Sequence, residues 1–355
     1  MHKSQNLYKE IYRSALKNIE LLTCETPFAL KDYYSMEKPY VVGIDIGATT
    51  AKIGVVDARG NVLDQTAIRS NDTTRSDEFV ANLCDAVKRL VEKNYSLDQV
   101  RGIGIGAPNA NYYNGTIENA VNLTWGGQQV IPFAQMMTDC IGLPVRLTND
   151  ANAAAVGEMT YGAARGMKNF ITITLGTGVG SGIVVNGSVL YGHDGFAGEL
   201  GHVTMVRHNG RLCGCGKTGC LEAYASATGV ARTAREKLET TDTPSLLRNI
   251  PLEDITSKDV FEAAVQGDEL AKDIFEFTGK MLGEAFADFV VFSSPEAIIL
   301  FGGLTKAGDL LMKPVVQSMN QNLMPMWREK IKVLFSQLKE SDAAILGASG
   351  LAWEL

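Results

Sequence analysis

The sequence predicts an α/β protein made of two domains, and three observations support this prediction. Two separate stretches each follow the order strand, glycine-rich turn, strand, turn and strand. Segments with apolar residues at helical spacing alternate with buried strands, which is typical of α/β layers. The chain is 355 residues long, and at roughly 100–200 residues per domain this length favours two domains.

The first half begins with a predicted β-meander. Apolar runs are separated there by two turn signals, Gly47-Ala48-Thr49-Thr50 and Arg59-Gly60-Asn61. A helix and a buried strand follow the meander. The expected elements are strands at 40–46, at 52–57 and from 62 onward, a helix over about 76–93 and a strand over 100–106.

The second half repeats this order of elements. Its glycine turn is followed by a strand and by Asn186-Gly187, a typical hairpin signal. Helices and a further buried strand complete it. The expected elements are strands at 169–175, 181–185 and 188–191, helices at 257–266 and 270–292, a strand at 297–301 and a last helix at 342–355.

Composition excludes several classes of protein. With 45% hydrophobic residues the chain can build two cores, so disordered and fibrous architectures are excluded. The formal net charge of -7 argues against a nucleic-acid partner. No apolar run reaches about 18 residues, and the N-terminus lacks a signal-peptide core, so we expect a cytoplasmic protein without a membrane partner. Residues 1–39 are expected to form an N-terminal extension packed on the surface.

Glycine is enriched, with 36 residues, and it marks three candidate anion-binding turns. Backbone N–H groups can approach a phosphate closely where no Cβ intervenes. Each turn alone could equally be structural, because tight hairpins need glycine. Together with an aspartate at the end of the first strand, they would surround a nucleoside triphosphate and its metal. The turns are Asp45–Lys52, Leu175–Gly180 and Phe301–Gly303.

Two better-known phosphate motifs do not fit these turns. The dinucleotide fingerprint requires a helix after its glycines, whereas both long turns lead into a second strand. A Walker A loop would end at Gly216-Lys217-Thr218, but Arg211 stands where its first glycine should be.

Asn149 and Asp150 follow a strand and precede an alanine-rich helix. Ligand-facing groups collect at such strand ends in open α/β folds. The alternative is that Asp150 is only the N-cap of that helix.

A cluster of cysteines predicts a metal site. One histidine and three cysteines make a complete tetrahedral set for Zn²⁺, and because all four positions are filled by protein the site would be structural. Free buried cysteines or a redox pair are the alternatives. The four residues are His202, Cys213, Cys215 and Cys220.

From about Tyr40 to the C-terminus these motifs resemble the sugar kinases of the ROK family (repressor, open reading frame, kinase). The resemblance implies a two-domain actin/hexokinase-like (ribonuclease H-like) ATPase fold with a nucleotide and sugar cleft between the domains. It implies a smaller α/β domain over 40–150, with the helix 342–355 packing back on it. A larger α/β domain over 151–341 would carry the zinc loop.

The resemblance also assigns site residues. Asp45 would hold, through water, the Mg²⁺ ion that accompanies the ATP phosphates. The two phosphate loops would contribute Gly47, Thr49, Thr50, Lys52, Gly176, Thr177 and Gly178, and the adenosine site Gly302 and Gly303. Asp150 would be the catalytic base. The sugar ligands would be Asn109, Asn122, Asn149, Glu199, His202 and Glu222. The family usually has Pro-Gly where this chain has Pro108-Asn109, and Trp125 is expected in the core.

The implied function is ATP-dependent phosphorylation of a hexose at its 6-hydroxyl, foremost a glucokinase reaction of glycolysis. N-acetylmannosamine, N-acetylglucosamine, allose and fructose remain open as substrates. The alternative is a sugar-responsive ROK-type transcriptional regulator, whose helix-turn-helix module would hardly fit in the 39 residues before Tyr40. Family habit implies a homo-oligomer, either a dimer or a tetramer.

Overall fold

The computed structural model describes residues 38–339 and 342–355. The extension expected over residues 1–39 therefore lies almost wholly outside the described residues. None of the helices in the described ranges has both the length and the apolar composition to cross a membrane.

Strands and helices alternate along the chain as expected for an α/β protein. The strands are β1 (Tyr40–Ile46), β2 (Thr50–Asp57), β3 (Val62–Arg69), β4 (Val100–Gly106), β5 (Ala110–Asn111), β6 (Thr116–Glu118), β7 (Val130–Ile131), β8 (Val145–Thr148), β9 (Phe170–Leu175), β10 (Val179–Val185), β11 (Ser188–Val189), β12 (Ala297–Phe301) and β13 (Lys332–Phe335). The helices are α1 (Ser76–Glu92), α2 (Phe133–Ile141), α3 (Asp150–Tyr161), α4 (Glu222–Ala225), α5 (Ala227–Thr240), α6 (Ser257–Val265), α7 (Glu269–Ser293), α8 (Asp309–Asn322) and α9 (Ala343–Ala352).

The two halves contain five-stranded sheets of the same topology. The first sheet has the order β3-β2-β1-β4-β8 and the second the order β11-β10-β9-β12-β13, while β5, β6 and β7 form a small third sheet. In each large sheet an antiparallel meander is extended by two parallel strands. The carboxyl ends of β1, β4 and β8 therefore share one edge, as do those of β9 and β12.

Most of the predicted elements are confirmed, including both meanders and the buried strands at 100–106 and 297–301. Four boundaries were wrong by two or more residues. The strand expected from 52 begins at Thr50, and the strand expected to run to 191 ends at Val189. The strand expected from 181 begins at Val179, because Val179 pairs with Leu175 across a shorter turn. The last helix ends at Ala352 instead of 355. Sequence patterns also missed the helices α2, α4, α5 and α8 and the strands β5, β6, β7 and β13. One of these, α8, contains Pro314, which a sequence pattern reads as a helix breaker.

Helices α3 and α9 lie between the two large sheets. Helix α9 packs on β1 and β4, α3 packs on β9 and β10, and the two helices pack on each other. Glycines permit this close approach. A Cβ on Gly104 of β4 would lie 1.9 Å from the carbonyl oxygen of Ala348, and a Cβ on Gly157 of α3 would lie 2.8 Å from the Cα of Gly347. The predicted domain boundary at 150 and 151 falls in the first turn of α3 and stays a prediction.

Each half has its own hydrophobic core. In the first half Trp125 is 1% exposed and stacks on Phe79 with ring centroids 4.5 Å apart. The expectation that Trp125 belongs to the core is confirmed.

Candidate active site

A cavity of about 520 Å³ opens where elements of both halves meet. The carboxyl ends of β1, β9 and β12 and the N-termini of α3 and α9 surround it. The predicted site residues that line it are Asp45, Asp150, Gly176, Thr177, Gly178, Glu199, His202, Glu222 and Gly302.

Asp45 lies near the carboxyl end of β1, and Asp150 begins α3 just after β8. Gly106 of β4 separates them, and a Cβ there would be 4.0 Å from Oδ1 of Asp45 and 3.8 Å from the Cα of Asp150. Burial and the charge of Asp150 together raise the pKa of Asp45 to about 6, against the opposing charge of Lys52. Burial also raises the pKa of Asp150. Solvent reaches Asp150 through the cavity, while the walls of the cleft remove much of its hydration.

Asn149, and not Asp150, is the N-cap of α3. The Oδ1 of Asn149 accepts a hydrogen bond of 2.7 Å from the backbone N–H of Asn152. The interpretation of Asp150 as a helix cap is therefore wrong. Oδ1 of Asp150 accepts from the adjacent N–H of Ala151 at 2.9 Å, and its carboxylate faces the cavity.

The second glycine turn, 176–178, is held from outside by the segment 222–228. Oε2 of Glu222 accepts from the N–H of Val179 at 3.0 Å. The N–H of Ala227 donates to the carbonyl of Gly176 at 2.9 Å, and Oγ1 of Thr228 donates to that of Thr177 at 2.8 Å. We call these three contacts the turn clamp. Sequence analysis assigned Glu222 to the sugar and missed this second contact.

The first glycine turn is closed by its own backbone. The N–H of Gly47 donates to the carbonyl of Thr50 at 3.0 Å, and the N–H of Ser70 donates to that of Thr49 at 3.0 Å. Gly47, Thr49, Thr50 and Lys52 are not among the residues that line the cavity. Only Asp45, at the base of this turn, reaches it.

The predicted metal ligands are brought together. The ligand atoms of His202, Cys213, Cys215 and Cys220 all lie within 4.8 Å of one another. Sγ of Cys215 is 3.7 Å from Sγ of Cys220, and Sγ of Cys213 is 3.6 Å from Nδ1 of His202. Zn–S bonds of about 2.3 Å in a tetrahedron place two sulfurs about 3.8 Å apart and a sulfur and a nitrogen about 3.6 Å apart. The donor set therefore fits a zinc ion.

His202 connects this cluster to the cavity. Its Nδ1 lies on the side of Cys213, whereas its Nε2 lies 3.9 Å from Oε2 of Glu199. Burial raises the pKa of Glu199, and the charges of Asp150 and Glu222 add to this while His202 opposes it. Carboxylate acceptors beside a ring N–H donor suit a polyol, because each hydroxyl both donates and accepts.

The other predicted sugar and adenosine residues, Asn109, Asn122, Asn149 and Gly303, do not line the cavity. The amide of Asn109 is exposed and donates to the carbonyls of Glu118 and Asn119 at 3.0 and 3.2 Å, so it braces that loop. Asn122 and Gly303 are exposed, and Oδ1 of Asn149 is used in capping. Val179, Gly180 and Phe301 of the predicted turns also line the cavity, and the lining residues that the sequence did not indicate are Ala153, Ala154, Glu158, Thr174, Leu338, Ala343 and Ala344. The spacing of Ala154 and Glu158 from Asp150 along α3 would have predicted those two.

The sequence is similar to known proteins over most of its length. A model of the ROK family matches residues 41–354. A glucokinase of Halalkalibacterium halodurans is 39% identical over 319 residues, which cover 89% of this chain and 96% of that protein.

Solved structures of ROK family proteins are similar in fold to this chain. A ROK family glucokinase from Streptomyces griseus, in complex with glucose and AMPPNP, superposes with a TM-score of 0.73 at 34% identity, covering 89% of this chain and 100% of that one. A ROK family transcriptional regulator, a homologue of the Escherichia coli Mlc protein, gives a TM-score of 0.78 at 25% identity, with 92% and 83% covered.

Proposed function

The chain belongs to the ROK family, and from that premise we propose that it is an ATP-dependent glucokinase, which transfers the γ-phosphoryl group of ATP to the 6-hydroxyl of glucose. The observation that carries the proposal is the single cavity in which Asp150, the turn 176–178 and the group of Glu199, His202 and Glu222 meet. The similarity to the glucokinases of H. halodurans and S. griseus supports it.

Asp150 is the proposed general base. A hydroxyl that attacks a γ-phosphoryl group must lose its proton and must be held in line with the leaving oxygen. A carboxylate within hydrogen-bond reach does both. Since α3 is capped by Asn149, Asp150 is available for this task. The cleft walls raise its pKa, which makes its carboxylate a stronger base than an exposed aspartate.

Glu199, Glu222 and His202 are proposed to bind the sugar hydroxyls, together with Asn109, Asn122 and Asn149. The two carboxylates accept hydrogen bonds, and Nε2 of His202 donates when Nδ1 is used on the side of Cys213. Asn109, Asn122 and Asn149 would have to reach the sugar from beside the cavity, when the cleft closes over it.

The nucleotide is proposed to lie along the turn 176–178 and Gly302. Backbone N–H groups at these glycines would bind phosphate oxygens. Mg²⁺ accompanies ATP and neutralises phosphate charge during transfer. Asp45 would hold this ion through water, since Mg²⁺ keeps part of its hydration shell. Gly47, Thr49, Thr50, Lys52 and Gly303 complete the proposed nucleotide site.

We also propose that His202, Cys213, Cys215 and Cys220 hold a structural Zn²⁺. With four protein ligands no coordination position is left for a catalytic water. A cytoplasmic location and a homo-oligomeric state, dimer or tetramer, remain part of the proposal.

The test is a coupled ADP-release assay with glucose, N-acetylmannosamine, N-acetylglucosamine, allose and fructose. We expect glucose to have the highest kcat/KM. Asp150→Asn should lower kcat by about 10²–10⁴, the usual contribution of a general base, while calorimetry shows glucose binding retained. Asp139→Asn, at an exposed carboxylate, is the control. An Asp150→Asn enzyme as active as the wild type would exclude this base.

A sugar-responsive regulator is the second candidate, because the Mlc-like regulator has a similar fold. A regulator without kinase activity would bind glucose in calorimetry but release no ADP with any of the five sugars.

A further inference from the structure

The segment Asn111–Tyr113 of the first half contacts a loop of the second half that leads to Glu199. We call residues 191–198 the approach loop. Oη of Tyr113 donates to the carbonyl of Gly192 at 2.8 Å. The ring of Tyr112 stacks on that of Tyr191 with centroids 4.0 Å apart and an interplanar angle of 8°. The proposed reaction assigns no role to any of these residues.

Asn111 makes the most enclosed of these contacts. Asn111 is only 2% exposed. Its Nδ2 donates to the carbonyl of Asp194 at 2.8 Å and to Oε1 of Glu118 at 3.2 Å. Oδ1 accepts from the N–H of Tyr113 at 3.1 Å. One buried amide thus joins the approach loop to β6, the strand that leads to Asn119 and Asn122.

The approach loop is shaped to fit this amide. Gly195 has a φ of 92°, and a Cβ on it would lie 2.6 Å from Oδ1 of Asn111. Both the left-handed backbone and the close contact therefore require glycine. If the amide is removed, the carbonyl of Asp194 loses its donor and the loop loses the surface that it packs on.

The far end of the approach loop is attached to the second sheet. Oγ of Ser181 in β10 donates to the carbonyl of Gly198 and accepts from the N–H of Leu200 at 3.1 Å. Glu199 lies between these two anchored residues. The approach loop thus connects Glu199, which is held on the second sheet, to Asn111 in the first half, so the position of Glu199 relative to the first half depends on the contact at Asn111.

We propose that Asn111 is a positioning residue for the sugar site: by holding the approach loop against the first half, it sets where Glu199 meets the sugar. The inference rests on the proposed function for the identity of the sugar. The nucleotide side should not respond, because the turn 176–178 is held by other residues, those of the turn clamp.

The test measures Asn111→Ala and Asn111→Asp, with Asn114→Ala at an exposed position of the same loop as control. For Asn111→Ala we expect the KM and the calorimetric Kd for glucose to rise about tenfold, with the KM for ATP changed by less than about twofold. Asn111→Asp should be at least as severe, because its carboxylate would face Glu118 and the carbonyl of Asp194.

A purely structural role would change both KM values or the yield of folded protein instead. Should Asn111→Ala fail to fold, Tyr113→Phe tests the same proposal, since it removes only the hydroxyl of a side chain that is 56% exposed. It should raise the KM for glucose about threefold. An unchanged glucose KM and Kd in a folded variant would overturn the inference and leave the proposed function intact. A wild type that binds glucose without phosphorylating it would overturn the proposed function alone, since calorimetry still reports on Asn111.

Discussion

Asp45 holds its charge in an unfavourable environment. Burial, and next the charge of Asp150, raise its pKa from 3.8 to about 6. The folded state therefore binds a proton more tightly at this residue than the unfolded state does. The resulting contribution to stability is fully present below pH 3.8 and is lost as the pH rises through about 6. At neutral pH the ionised carboxylate lowers the free energy of unfolding, by at most about 3 kcal/mol for two pKa units.

We therefore expect Asp45→Asn to be more stable than the wild type at pH 8, by about 1–3 kcal/mol, but inactive as a kinase. The difference in stability should shrink as the pH falls through about 6 and should vanish only below pH 3.8, where the carboxylate is protonated in the unfolded state as well. Urea denaturation at these pH values measures it. Asp72→Asn, at an exposed residue, should show no such trend. A variant less stable than the wild type at pH 8 would contradict the argument.

At the scale of elements, the segment 213–228 links three parts of the site. Sγ of Cys213 lies 3.3 Å from Oε1 of Glu222, and Oε2 of the same carboxylate accepts from the N–H of Val179. Ser226 then caps α5, whose first residues hold the turn 176–178. The metal loop, the sugar-binding carboxylate and the phosphate turn therefore form one connected unit.

This connection predicts that loss of the metal weakens the binding of ATP. Fresh wild-type protein should contain about one zinc ion per chain. Cys215→Ser, at an exposed ligand, should lose it and should raise the KM for ATP severalfold, because the turn clamp follows directly on the metal loop. Elemental analysis measures the first effect and steady-state kinetics the second, with Cys140→Ser as the control. Wild-type protein without zinc, or an unchanged KM for ATP in the zinc-free variant, would contradict the prediction.

Across the whole molecule, the features that could be predicted from the sequence are those that depend on residues close together in the chain. The two meanders are marked by apolar runs separated by glycine turns. Asp45 and Asp150 lie close to strand ends, and the metal ligands lie in one short cysteine-rich loop, so each has a signal in the local sequence. Contacts between distant segments have no such signal. Thr228 reaches a turn 51 residues earlier, and Asn111 reaches a loop 83 residues later. Only the packing of the two halves brings these residues together, so no pattern of neighbours in the chain could have predicted them.

That packing depends on the crossing of α3 and α9. Gly157 lies inside α3, where alanine has the higher helix propensity by up to about 1 kcal/mol. A Cβ there would nevertheless lie 2.8 Å from the Cα and 3.0 Å from the N of Gly347. These are backbone atoms, so the helices must move apart. Since α3 begins at Asp150 and α9 packs on β1 and β4, a change in their separation would also shift Asp150 relative to Asp45.

We expect Gly157→Ala to lower the free energy of unfolding by about 1–3 kcal/mol, in spite of its helix propensity, because overpacking outweighs the gain. Its kcat should fall with little change in the KM for glucose, since Asp150 moves while the approach loop does not. Urea denaturation and steady-state kinetics measure these effects. Gly303→Ala adds the same methyl group where nothing lies within 4 Å and is the stability control. A Gly157→Ala protein more stable than the wild type would mean that the helices adjust freely, and the spacing of the two aspartates would then need another explanation.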